Sequence, residues 1–172
     1  MSFLMPNQMI KQLPILSGDT ILDVGAGSGA YSIELAKLNL KNKVIAMDIN
    51  RNVLDLLSHN AVTFNLNHIE TLEMNIENPW PIAPLSADGA LLINILHAIN
   101  DKDKVLQYLY KALKPHAYVI LVDWREADKI GPGENYIIKE DEMRDIVNRN
   151  GFKVKSNIPA GSHQYGLLLE VE

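Results

Sequence analysis

Asp23, Gly25, Gly27, Gly29 and Asp48 are the residues whose types and spacing can do chemistry in this 172-residue chain. The glycines alternate directly after a short apolar run, Thr-Ile-Leu-Asp-Val, at residues 20–24. Such a turn needs backbone angles and a close approach that a Cβ would block. It delivers a ligand to the N-terminus of the following helix, where free N–H groups favour electronegative atoms. A second apolar run, Lys-Val-Ile-Ala-Met-Asp at residues 43–48, ends in Asp48. A carboxylate at that strand end can accept hydrogen bonds from both ribose hydroxyls of an adenosine ligand. The same Asp48 can instead cap the segment from Arg51, although Asn50 is the better placed cap. Gly25, Gly27 and Ala30 also satisfy the dinucleotide pattern G-x-G-x-x-G/A, so the glycines alone leave two ligand classes open.

The elements that must hold these residues read as strand and helix in alternation. Residues 6–13 predict a two-turn helix carrying Met9, Ile10 and Leu13, stopped by Pro14. The first strand spans residues 20–24, and the first long helix runs to about Leu38. The second strand, 43–48, is continuous and β-rich, as for a strand buried on both faces. Helical spacing follows from Arg51 to about Asn60, and a third strand at 69–74. Residues 89–96, Gly-Ala-Leu-Leu-Ile-Asn-Ile-Leu, predict an apolar fourth strand with His97 just beyond it. A helix at 101–113 follows, with Asn100 as its cap. A Lys114-Pro115-His116 turn then leads to a fifth strand at 118–124. Residues 125–135 read as a polar loop, and 140–150 as the last helix with Gly151 at its C-terminus. Two strands close the sequence, 152–158 and 164–171.

Composition narrows the functions available. Apolar residues make up 47% and charged residues 22%, enough for one domain of ordinary size over residues 1–172. The net charge is −5 with no basic cluster, which argues against nucleic acid as a partner. No apolar stretch reaches the roughly 20 residues that span a bilayer. No secretion signal is seen, so a cytoplasmic setting is expected. The chain has no cysteine, which removes disulfides, cysteine-based metal sites and cysteine nucleophiles.

The pattern Asp23-x-Gly25-x-Gly27-x-Gly29 resembles motif I of the class I S-adenosylmethionine-dependent methyltransferases. The later segments, from Asp123-Trp124 to His163-Gln164-Tyr165-Gly166, resemble its type 11, ubiquinone/menaquinone-biosynthesis-like, small-molecule branch. The resemblance implies a Rossmann-like α/β fold, a seven-stranded mostly parallel sheet of order 3-2-1-4-5-7-6 with the last strand antiparallel. It implies S-adenosylmethionine as cofactor and S-adenosylhomocysteine as product. The loop Gly25, Ala26, Gly27, Ser28, Gly29 with Tyr31 would lie along the methionine and ribose portion, with Asp23 near the ammonium group. Asp48 and Ile49 would meet the ribose and adenine. Asn75-Ile76 stand where the family commonly has Asp-Ala; the Asn75 oxygen can still accept the adenine amino group. Asn94, Leu96 and His97 fall at the end of the fourth strand, facing cofactor and acceptor. Asn94 does not open Asn-Pro-Pro-Tyr, which argues against DNA adenine methylation. Residues 1–18 are shorter than the family's usual N-terminal cover, so the chain departs there; an open site, a lid supplied by another protomer of a homodimer, or a large acceptor is expected.

Methyl transfer from a sulfonium needs an acceptor placed in line and water excluded. A base is needed only where the acceptor atom loses a proton. An imidazole titrates near neutrality, which makes His97 the candidate base, equally readable as a structural histidine. Asp123, Trp124, His163 and Tyr165 are candidates for the acceptor side. No ligand set for a metal is present, and His59, His68 and His116 read as surface residues. The expected function is methyl transfer to a small-molecule acceptor. The alternatives are an NAD-linked oxidoreductase and a non-catalytic cofactor-binding subunit.

Overall fold

A computed structural model describes residues 5–126 and 131–172. Seven strands form one sheet in the order β3-β2-β1-β4-β5-β7-β6. They are β1 (Thr20–Val24), β2 (Lys43–Asp48), β3 (Ile69–Glu73), β4 (Ala87–Ile93), β5 (Leu113–Trp124), β6 (Phe152–Asn157) and β7 (Gln164–Val171). Strands β1 to β5 pair in parallel; β7 runs antiparallel between β5 and β6. The central strands are buried on both faces, so they read as unbroken apolar runs rather than alternations.

The alternation within those runs sorts two cores. Leu22, Val24, Ile45 and Met47 pack towards helices α4 (Lys102–Ala112) and α5 (Glu140–Arg149). Ile21, Val44 and Ala46 pack towards α1 (Pro6–Ile10), α2 (Ala30–Leu38) and α3 (Arg51–Thr63). Asp23 shares its face with Ile21, by the period of two. It therefore points at α2.

Several boundaries differ from the sequence expectation, each for a physical reason. Helix α1 ends at Ile10, three residues early, and buries Met9 and Ile10. Helix α3 runs on to Thr63, where the Thr63 hydroxyl donates to the His59 carbonyl at 3.0 Å. That helical ladder overrides the β-preference of Val62, Thr63 and Phe64. Strand β4 begins at Ala87 and stops at Ile93, because Asn94 adopts φ +54°. Residues Leu96–Ala98 form a 3-10 turn instead of continuing the strand. Asp101, not Asn100, caps α4: its carboxylate accepts the Lys104 N–H at 3.0 Å. Asn100 donates to Glu77 instead. The Lys114–His116 turn survives as an irregularity inside β5, between the pairs Ala87↔Leu113 and Gly89↔Tyr118, with His116 at φ +62°. Strand β6 ends at Asn157. His68 is half-buried, its Nε2 3.0 Å from the Ala36 carbonyl. In the polar loop after β5, Glu134–Tyr136 form a 3-10 turn, and residues 127–130 lie outside the described residues.

Gly89 shows how tightly the sheet is packed. A Cβ there would stand 2.2 Å from the Tyr118 ring, which lies across the glycine. Gly89→Ala is expected to destabilise the protein by about 1–3 kcal/mol through overpacking. Denaturant unfolding should show a lower midpoint at unchanged slope.

Candidate functional site

The site is built where β1 hands the chain to α2. The Gly25 and Ala26 N–H groups both donate to the Met47 carbonyl, at 2.8 and 2.9 Å. Asp48 then takes the Gly27 N–H on Oδ2 and the Asn50 N–H on Oδ1, each at 2.9 Å. The end of β2 thus grips the loop leaving β1. Gly25, Gly27 and Gly29 all have positive φ, between +55° and +85°. A Cβ on Gly25 would meet the Ile95 side chain at 2.7 Å, and one on Gly29 would meet Leu57 at 2.1 Å. A Cβ on Gly27 would meet nothing within 4 Å, so that turn of the loop faces open space.

Beneath the loop, Asp23 is 3% exposed and accepts a 2.6 Å hydrogen bond from the Ser32 hydroxyl. Ser32 is itself fully buried in α2. Burial pushes the Asp23 carboxyl up to about 6, partly offset by Ser32 and reinforced by nearby Asp48. The Tyr31 hydroxyl is pushed up too, by burial and then by Asp23.

A cleft of about 230 Å³ opens beside the loop, lined by Gly25, Asp48, Ile49, Asn75, Ile76 and Ile95 among others. Ile49, an apolar side chain on its rim, is 66% exposed. The Asn75 oxygen accepts the Glu77 N–H at 2.9 Å, and the Ile76 carbonyl accepts Trp80 Nε1 at 2.8 Å. These two bonds fix the turn after β3 that forms the cleft's far wall. Ser28 and Ile49 are exposed, and Ala26 and Tyr31 half-buried, along the same loop end of the sheet.

The residues expected at the end of the fourth strand and on the acceptor side separate into four sets. His97 and Asp123 meet: Asp123 Oδ1 lies 2.8 Å from His97 Nδ1, and Oδ2 accepts the His97 N–H at 3.0 Å. Asn94 is held by Gln164, whose Nε2 donates to Asn94 Oδ1 at 2.5 Å. Trp124 lies against Gly131, and His163 Nδ1 is 3.9 Å from Glu126. Leu96 and Tyr165 do not line the cleft. Each is 1% exposed in the core, and the Tyr165 hydroxyl donates to the Ile138 carbonyl at 3.1 Å. Burial raises that hydroxyl well above the usual tyrosine range.

The sequence reading missed Ser32, Ile95 and Gln164. Ser32 carried a readable signal, a hydroxyl on the apolar face of α2. Gln164 carried none, since it reaches Asn94 from 70 residues away across β5.

Residues 15–161 match the Methyltransferase domain family. The chain belongs to that family, and its fold is that of the class I S-adenosylmethionine-dependent methyltransferases. A demethylmenaquinone methyltransferase from Oceanobacillus iheyensis is 27% identical over 128 residues, covering 74% of this chain and 53% of that protein. One from Lactobacillus johnsonii is 25% identical, covering 93% of this chain and 80% of that protein. The chain thus spans about half the length of the first and four-fifths of the second. The crystal structure of a SAM dependent methyltransferase from Aquifex aeolicus superposes with a TM-score of 0.88 at 27% identity, covering 97% of this chain and 89% of that one. No helix among the described residues is long and apolar enough to cross a membrane.

The buried Asp23 carboxyl predicts a pH dependence. Burial holds it at about 6 in the folded chain, above the ordinary 3.8 of an aspartate carboxyl. The folded state therefore holds the proton more tightly, so this group's contribution is complete below pH 3.8 and lost as pH rises through 6. Asp23→Asn should remove that slope. Between pH 4 and 7 the wild type should lose about 2 kcal/mol relative to the variant, read from urea unfolding at each pH.

Proposed function

We propose that this protein transfers a methyl group from S-adenosylmethionine to a small-molecule acceptor. The observation that carries the reading is the Asp48 carboxylate, which ties Gly27 and Asn50 while facing the cleft. Each carboxylate oxygen has a further lone pair after these bonds. A ribose diol is the ligand group that two such oxygens suit.

The residues present fit the cofactor. Gly27 leaves the room that a close-lying chain needs. Asp23 supplies a buried negative charge that a ligand ammonium would stabilise. Ile49, Ile76 and Ile95 offer apolar faces for a flat base, and Asn75 a side-chain amide at its edge. When bound, S-adenosylmethionine supplies a methyl carbon activated by a sulfonium. The protein's own work is to hold that end still, position the acceptor and keep water away.

The acceptor side favours a small molecule. A second cavity of about 780 Å³ shares Ala98 and Ile99 with the cofactor cleft. Its size suits a small organic acceptor. The two relatives named for demethylmenaquinone support a ring-shaped acceptor, since they match most of this chain. The exposed rim residues Ile49 and Tyr136 support a second copy of the chain as the cover of an open site. Light scattering with and without cofactor reports that association.

Calorimetric titration with S-adenosylhomocysteine, with NAD in parallel, tests the reading. Saturable binding of S-adenosylhomocysteine alone is expected. Asp48→Ala should weaken it at least about tenfold, through lost hydrogen bonds to a charged acceptor. Binding of NAD without S-adenosylhomocysteine would establish the oxidoreductase alternative instead. Cofactor binding with no turnover of any acceptor would favour the non-catalytic one.

A further inference from the structure

We propose that the edge of the sheet opposite the cleft, where β1 to β4 begin, docks on an anionic lipid surface. Nothing in this surface depends on the methyltransferase reading.

The loops that enter β1, β2 and β3 carry Leu16 and Leu40, each 70% exposed, and Phe64, 52% exposed. These strands are neighbours in the sheet, so their entries stand about 5 Å apart in a row. Leu38 at the end of α2 and Leu85 just before β4 are exposed at the same edge. Single exposed apolar side chains are ordinary, but a gathering of them at one edge marks an interaction surface.

The loops are tied to one another. The Gly18 N–H donates to Asn42 Oδ1 at 2.8 Å and the Lys43 N–H to the Asp19 carbonyl at 2.9 Å, which joins the entries of β1 and β2. His68 Nε2 lies 3.0 Å from the Ala36 carbonyl, and Lys37 Nζ sits 4.3 Å over the Phe64 ring, which joins the β3 entry to α2. Asp88 accepts the Thr20 N–H at 3.0 Å, and the Leu85 N–H donates to the Lys111 carbonyl at 3.0 Å. The exposed side chains therefore stand on a fixed platform, and docking costs little ordering of the backbone.

Charge selects the occupant. The acids along this row are already bonded: Glu34 to Lys37, Glu70 to Lys43 and Asp88 to Lys114. Asp19 is buried and accepts the Leu16 N–H. Glu170 and Glu172 lie farther along, beyond β5. Lys11, Lys41 and Lys111 are exposed and form no ion pair among the described residues. The row thus carries a positive excess in a chain of net charge −5. The opposite end is acidic, with Asp101, Glu126, Glu134, Asp141 and Glu142 exposed. An anionic surface attracts the first end and repels the second, which orients the molecule. A second copy presenting the same edge would meet like charge across the contact. Apolar tips with lysines beside them suit the lipid interface, where the tips enter below the headgroups and the ammonium groups stay level with them. The cleft then faces water.

Sedimentation with vesicles tests the proposal. One set holds equal parts of phosphatidylglycerol and phosphatidylcholine, the other phosphatidylcholine alone. Wild type should bind the mixed vesicles at least about tenfold more tightly than the neutral ones, and added salt should weaken that binding. Leu16→Ser, Leu40→Ser and Phe64→Ser combined should weaken it at least about tenfold through lost apolar burial. Lys11→Gln, Lys41→Gln and Lys111→Gln combined should do the same, since each lysine near such a surface is worth about fivefold. Urea unfolding of both variants should match wild type closely, because the replaced side chains are exposed. If the apolar variant does not fold, the lysine variant decides. No binding to mixed vesicles, equal binding to both kinds, or undiminished binding in a folded variant would overturn the proposal. Self-association without vesicles that the apolar variant abolishes would assign the edge to a second copy and overturn it too. Failure of S-adenosylhomocysteine to bind would overturn the methyltransferase reading alone and leave this surface standing.

Discussion

The grip of β2 on the loop that leaves β1 is the constraint on which the site depends. Three consecutive N–H groups, from Gly25, Ala26 and Gly27, are taken by the carbonyl of Met47 and the carboxylate of Asp48. Backbone groups that are turned out of a sheet must find partners, and these find them on the neighbouring strand. The loop is thereby held open on its ligand side while its glycines lie close to Ile95 and Leu57. Were the loop free to collapse, α2 would lose its direction and Ser32 its place over Asp23.

The parallel order does the rest of the positioning. With β1 between β2 and β4, and β5 beside β4, the ends of four strands open on one side of the sheet. Asp48, Asn94, His97 and Asp123 all leave from that side. They span 76 positions of sequence, yet the strands bring them to one surface. The crevice beyond the carboxyl ends of such strands is where α/β sheets bind ligands.

What could be read in the sequence was set by local physics. Strands β1, β2 and β7 were legible at both ends because turn residues or a strand-end acid bound their apolar runs. The glycine loop and Asp48 were legible because backbone conformation demands particular residue types there. The end of β4 was not, because Ile95 and Leu96 prolong an apolar run that the left-handed Asn94 has already broken. Tyr165 was misplaced for a related reason: its aromatic ring and hydroxyl suit a pocket as well as a core, and only the Ile138 carbonyl shows which. His97 and Asp123 were each legible as single residues. Their pairing was not, since it depends on the register of β4 against β5, which the irregularity between Ala87 and Gly89 resets.

The antiparallel β7 has a consequence for how the chain acquires its shape. It follows every other strand in sequence, yet it lies between β5 and β6. During synthesis β6 emerges with no partner to pair with, and the β5 edge stays open until β7 arrives. The interior Tyr165 and the Gln164 that holds Asn94 come with it. The glycine-loop end of the sheet, built from β1, β2 and β3, can assemble first from local crossovers. The end built from β5, β7 and β6 waits for contacts made across long stretches of chain. The two halves of the candidate site are thus completed at different times, the glycine loop before the wall that Gln164 and Asn94 join.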